Sequence, residues 1–190
     1  MLLKKFPYTS LKTLLTDNLS KEEDLHTRNL IKTLKAAKKR GWLNKQELIE
    51  ICYWKSPRAI RHIESNHSQT IKRLTRLAFK SRIESKKIEE LINLKGVSIP
   101  MASAILMLTN PRKYGVIDIR VWEVIHKIGL VNTNSKGINF TVKEWQELLT
   151  IFWHYSKSFK VSVRDIERTI FIVHKNHQEG TLYKKNISKI

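Results

Sequence analysis

Helix-start signals recur along this chain, and each is followed by apolar residues three and four positions apart. Ser20 and Glu23 have capping-box spacing, ahead of an inward face made by Leu25, Leu30, Ile31 and Leu34 that ends near Gly41. Asn44 and Glu47 open a second stretch carrying Leu48, Ile49 and Ile51. At Ser56-Pro57 the chain restarts, with Ser as the cap and Pro in the first helical position. Ile71, Leu74, Leu77 and Ala78 share one face of a helix expected over 68–79. Two more helices are expected over 84–94 and 99–109, and another from Asp118 to near Gly129. Thr141 and Glu144 form a further capping box, opening a helix to about Ser158. Ser162 to Asp165 opens the last helix, which turns Ile166, Ile170 and Val173 inward. The few Gly and Pro residues fall between these periodic segments. No segment alternates with period two between turn signals, so an all-α fold is expected, with at most short extended pieces near Gly115–Ile117.

The chain reads as one domain over 1–190, with no linker long enough to separate independent units. Residues 84–131 form its central segment, 20–83 and 140–178 are flanking helices, and 182–190 is a basic tail expected to fray. The expected architecture is a two-lobed helical bundle. Asn132–Asn139 reads as a polar loop.

Charge narrows the function. Lys and Arg number 36 against 17 Asp and Glu, a formal net charge of +19. Such an excess points to an anionic partner, most often nucleic acid; a merely solvated basic surface is the plainer reading. Lys35, Lys38, Lys39 and Arg40, with Lys72, Arg73 and Arg76, are candidates to track backbone phosphates. Cys52 is the single cysteine, which excludes an internal disulfide framework, a cysteine-rich zinc site and a four-cysteine iron–sulfur cluster. The N-terminus has no apolar stretch of signal-peptide length, and the most apolar run, Ala102 to Leu108, is too short to span a bilayer. A soluble cytoplasmic protein without membrane contact is therefore expected.

The richest segment lies between the two central helices. Leu91 and Leu94 end the first, Lys95-Gly96-Val97 turns the chain, Ser98 is placed to cap the second, and Pro100 fits its first turn. Ala102, Ser103 and Ala104 are small enough for close helix approach. Such a hairpin presents backbone N–H groups at a helix N-terminus, where phosphate oxygens are natural ligands. An ordinary helix–turn–helix connection inside a bundle is the bland alternative.

The run Leu94-Lys95-Gly96-Val97-Ser98-Ile99-Pro100-Met101-Ala102-Ser103, followed by Val116-Ile117-Asp118-Ile119-Arg120-Val121, resembles the helix-hairpin-helix DNA glycosylase superfamily of endonuclease III type. That family pairs a Leu-Pro-Gly-Val-Gly hairpin with a downstream Val-Asp-Thr-His segment, and the spacing from Gly96 to Asp118 matches without a gap. The resemblance covers about residues 84–131. It implies a helix-hairpin-helix motif gripping double-stranded DNA through Lys95, Gly96, Val97 and Ser98, a catalytic Asp118, no cofactor beyond a monovalent cation held by hairpin carbonyls, and a monomer. The departures are Ser98 in place of the second glycine and Pro100 where bifunctional members carry a nucleophilic lysine. The resemblance then implies a monofunctional glycosylase, which hydrolyses the bond to a damaged or modified base and leaves an abasic site.

The chemistry assigned to Asp118 follows from the bond. Breaking an N-glycosidic bond develops positive charge on the deoxyribose, and a carboxylate below the sugar stabilises it and helps activate water. Asp is also a preferred helix cap, and the two roles are compatible: one carboxylate oxygen caps while the other faces the sugar. A glycosylase must also flip its nucleotide and fill the gap. Tyr53, Trp54 and Lys55 form an aromatic and basic turn placed to supply that side chain, and Arg58 to hold phosphate; core packing is the alternative for both aromatics. Trp122 is a candidate for the base pocket or for the core, and Trp153, His154 and Tyr155 raise the same choice. His126 shares a helix face with Trp122, but no metal-ligand spacing accompanies it. Arg164 and Asp165 read as charge complement and cap. The competing functions are a non-catalytic helix-hairpin-helix DNA-binding protein and a basic helical domain that binds RNA or protein.

Overall fold

The computed structural model describes Leu3 and residues 5–180, among which ten α-helices and no strand are found. They are α1 (Leu11–Asn18), α2 (Leu25–Arg40), α3 (Lys45–Lys55), α4 (Ile60–Glu64), α5 (Ser68–Lys80), α6 (Glu84–Leu91), α7 (Ile99–Thr109), α8 (Ile119–Lys127), α9 (Val142–Phe159) and α10 (Val163–His177). A 3-10 turn, Pro57–Ala59, links α3 to α4. The basic tail lies outside the described residues.

α7 is the hub. Every residue from Met101 to Thr109 is buried, because the helix packs against α2, α3, α6 and α9 and is apolar around its whole circumference. α8, α9 and α10 pack together, and α1 lies on α10. A single continuous core runs through both sets, from Leu14 and Leu48 to Ile105, Trp145 and Phe152. Each such side chain contributes roughly 1.5–3 kcal/mol over an exposed one.

Capping boxes close at three expected helix starts: Thr141 with Glu144, as the spacing predicted, and also Asn44 with Glu47 and Ser162 with Asp165. The box expected at Ser20 does not form. Asp24 caps α2 by accepting from the Thr27 amide, and Glu23 is drawn instead to arginines on α10. Ser56 and Ser98 stand at cap positions, but neither side chain makes a capping bond. α1 was not expected; Ser10 caps it, ahead of Leu11, Leu14 and Leu15.

Trp122 belongs to the core. It is fully buried, edge-on to Phe140 with ring centroids 5.4 Å apart, and its Nε1 donates to the Asn134 carbonyl at 2.9 Å. It braces the 132–139 loop against α8, so of the two roles open to it, base pocket and core, the structure shows the core.

Candidate active site

The turn between α6 and α7 is built around Gly96, at φ +81°, where only glycine is unstrained. A Cβ there would lie 2.9 Å from the His62 Cβ and 3.3 Å from the Ala59 carbonyl oxygen, so the turn is seated directly on the start of α4. Buried Asn66 clamps it. Its Nδ2 donates to the Lys95 carbonyl and its Oδ1 accepts from the Lys95 amide, both at 2.9 Å. The Val97 amide donates to the Leu94 carbonyl. Lys95 and Val97 therefore have no amide to spare, although Val97 was expected to anchor a strand through its backbone. The amides of Gly96 and Ser98 have no partner among the described residues, and the exposed Lys95 side chain stands beside them. These groups share an open concavity of about 710 Å³ with Ser56, Arg58 and His62. The structure thus brings the 56–58 turn and the hairpin, 40 residues apart in sequence, onto one surface.

Ser103 ties that hairpin to Asp118. Its hydroxyl donates to the Pro100 carbonyl at 2.8 Å and accepts from the Ile117 amide at 3.1 Å, so the first turn of α7 fixes the extended backbone leading into α8. Asp118 uses its two oxygens differently. Oδ1 caps α8, accepting from the amides of Arg120 at 3.0 Å and Val121 at 3.1 Å. Oδ2 accepts from Lys55 Nζ at 3.3 Å, and the two side chains retain 17% and 16% of their exposure. Lys55 ends α3 and is held against the carboxylate instead of projecting freely toward a strand.

The neighbouring aromatics separate. Trp54 is half-buried, its Nε1 donates to Thr27 Oγ1 at 2.8 Å, and Arg164 lies over its ring. Tyr53 is 55% exposed, so it is the aromatic of the pair that does not pack. Trp153 is pinned by a bond from Nε1 to the Lys113 carbonyl.

Behind Asp118 lies a buried ionic network that the sequence did not reveal. Glu167 is fully buried and pairs with Arg164, whose Nε and Nη2 grip Glu23 at 2.7 and 3.1 Å. Arg168 reaches Glu23, Asp165 and the Ser20 carbonyl. Burial pushes the Glu167 carboxyl up, Arg164 opposes that, and the Asp118 charge adds to the rise. The signal was present: Glu167 and His174 fall on the stripe of Val163, Ile166, Ile170 and Val173, where a charge must be paired. His174 is buried, with Nε2 3.0 Å from Glu123 Oε2, and burial pushes its pKa down.

Among the described residues no group of three His, Cys, Asp or Glu side chains converges to hold a metal, and no helix is long and apolar enough to cross a membrane. The Leu94 and Lys95 carbonyls each accept one hydrogen bond, from the Val97 amide and from Asn66 Nδ2. No protein-family model, curated protein or solved structure matches this chain.

Proposed function

We propose that this chain is a DNA glycosylase of helix-hairpin-helix architecture, two helical lobes around a strand-gripping hairpin, that hydrolyses the bond to a damaged or modified base in double-stranded DNA. The observation that carries the reading is the division of labour in Asp118: one oxygen is committed to the cap and the other to Lys55, in a side chain that keeps 17% of its exposure on a segment bonded to the hairpin helix. A strand held by the Gly96 and Ser98 amides, Lys95 and Arg58 places negative phosphates on a surface of positive charge with two amides unpaired among the described residues. Asp118 then opposes the positive charge that develops on the sugar, and Lys55 fixes its orientation. The product is free base and an abasic site, in genome repair or in removal of modified bases from foreign DNA.

The capping bonds and the Lys55 ion pair also favour a second reading, in which Asp118 is purely structural and the protein binds DNA without cutting it. Asp118→Asn separates the two. Asn caps as well as Asp, so the fold is retained at a cost of about 1 kcal/mol or less. Duplexes carrying alkylated, oxidised, mismatched, uracil or hypermodified bases are incubated with each protein and scored for alkali-labile sites. Catalysis predicts release by the wild type and a loss of about 100-fold or more in the variant, with DNA binding kept. Tight binding with no release from any duplex favours the second reading.

A further inference from the structure

Three of the basic residues read from sequence as a phosphate track, Lys38, Arg40 and Arg76, meet three others at a concave site. Lys38, Arg40, Arg76, Lys80, Lys87 and Lys113 line one cavity of about 580 Å³, within the range of small-ligand sites. It is formed where α2, α5 and α7 end, against α6 and the turn after α7. That is the opposite end of α7 from the hairpin.

No carboxylate lines the cavity. Of the cations lining it, Arg40 and Lys113 pair with Glu47 and Glu84, and Glu84 also acts on the nearby Lys87. Helix ends explain one more: Lys87 is buried and donates to the Ala78 and Ser81 carbonyls, closing α5. Lys38 is steadied by Asn110 Oδ1 at 3.0 Å, with no anion to answer its charge. Arg76 and Lys80 are exposed and have neither carbonyl nor carboxylate partner among the described residues. Like charges converging on a concave wall repel one another, and a bound anion relieves that repulsion. The wall also carries Phe79, Leu106 and Tyr114, an apolar and aromatic side against which a flat base can rest.

We infer that this cavity is a second binding site, separate from the hairpin and Asp118, for a phosphate-bearing ligand of nucleotide size. Lys38, Arg76 and Lys80 contact its phosphates, and the Phe79 side receives its base. Such phosphates have two sources, a free nucleotide or a nucleic-acid strand. This inference does not depend on the glycosylase reading, since it concerns binding at residues that take no part in base release.

The test uses the full chain, with Arg76→Gln/Lys80→Gln as the cavity variant and Lys95→Gln as a hairpin control. Titration calorimetry with inorganic pyrophosphate, AMP and ATP forms one arm; fluorescence anisotropy with a labelled duplex across a salt series forms the other. Circular dichroism establishes that each variant is folded. For a nucleotide source, ATP binds the wild type, the cavity variant weakens it about tenfold or more, and the hairpin control leaves it unchanged. For a strand source, the nucleotides do not bind, but the cavity variant lowers the dependence of log affinity on log salt by about 1.8, two phosphate contacts' worth. The inference is overturned if neither arm distinguishes the cavity variant from wild type. It is equally overturned if ATP binding falls as much in Lys95→Gln, which would make the effect one of overall charge.

Discussion

Replacing Gly96 by alanine tests whether the hairpin is seated as described, and the chain supplies its own control. Gly41 and Gly96 have nearly the same backbone, φ +80° and +81°. A Cβ on Gly41 meets nothing within 4 Å, whereas one on Gly96 meets the His62 Cβ at 2.9 Å and the Ala59 carbonyl at 3.3 Å. Alanine in the left-handed region costs about 1–2 kcal/mol, and stiffening of the unfolded chain returns part of that, so Gly41→Ala loses about 1 kcal/mol. At Gly96 neither neighbour is able to swing aside, because one atom is backbone and the other is bonded directly to it. Overpacking of this kind adds about 1–3 kcal/mol, giving a total near 3 kcal/mol. For a chain of this size 1 kcal/mol moves Tm by roughly 2–4 °C, so Gly96→Ala should melt about 4–8 °C below Gly41→Ala. Differential scanning calorimetry on both variants measures this, and duplex affinity should fall only in Gly96→Ala. Melting points within about 2 °C of each other would refute the close approach on which the hairpin's geometry rests.

Asn66→Ala strands the Lys95 amide and carbonyl and should cost about 2–4 kcal/mol by urea denaturation, with weakened DNA binding that Asn66→Asp only partly restores. Arg164→Met leaves Glu167 buried and unpaired, a loss of about 3–5 kcal/mol; adding Glu167→Gln to the same chain should recover part of it. His174 is held below its ordinary pKa by burial, so the unfolded chain binds the proton more readily than the folded one. Stability should therefore fall as pH drops below about 6.5, and His174→Asn should flatten that part of the profile in melts taken between pH 5 and 7.5.

Helix positions were legible because local rules set them: the capping box at Thr141 and Glu144 closed where the spacing placed it, Asn44 and Ser162 open helices as expected, and α7 runs from Ile99 to Thr109 as expected. The failures share one cause, long-range competition for a polar side chain. Glu23 has the spacing to close a box with Ser20, but two buried arginines on α10 hold it more strongly than one amide does. For Trp122 the choice between pocket and core was open in the sequence, and it falls to the core because the 132–139 loop supplies the carbonyl its indole needs. Asn66 leaves no trace in any periodic pattern, because its partner is a backbone group 29 residues away. Asp118 shows both sides of this. Its cap is written locally, in the two amides that follow it, whereas Lys55 lies 63 residues earlier in the chain. Whether Oδ2 serves a sugar or only that lysine is decided by the tertiary fold. Asp118→Asn is therefore the decisive substitution, since it preserves what the sequence encodes locally and removes only the negative charge.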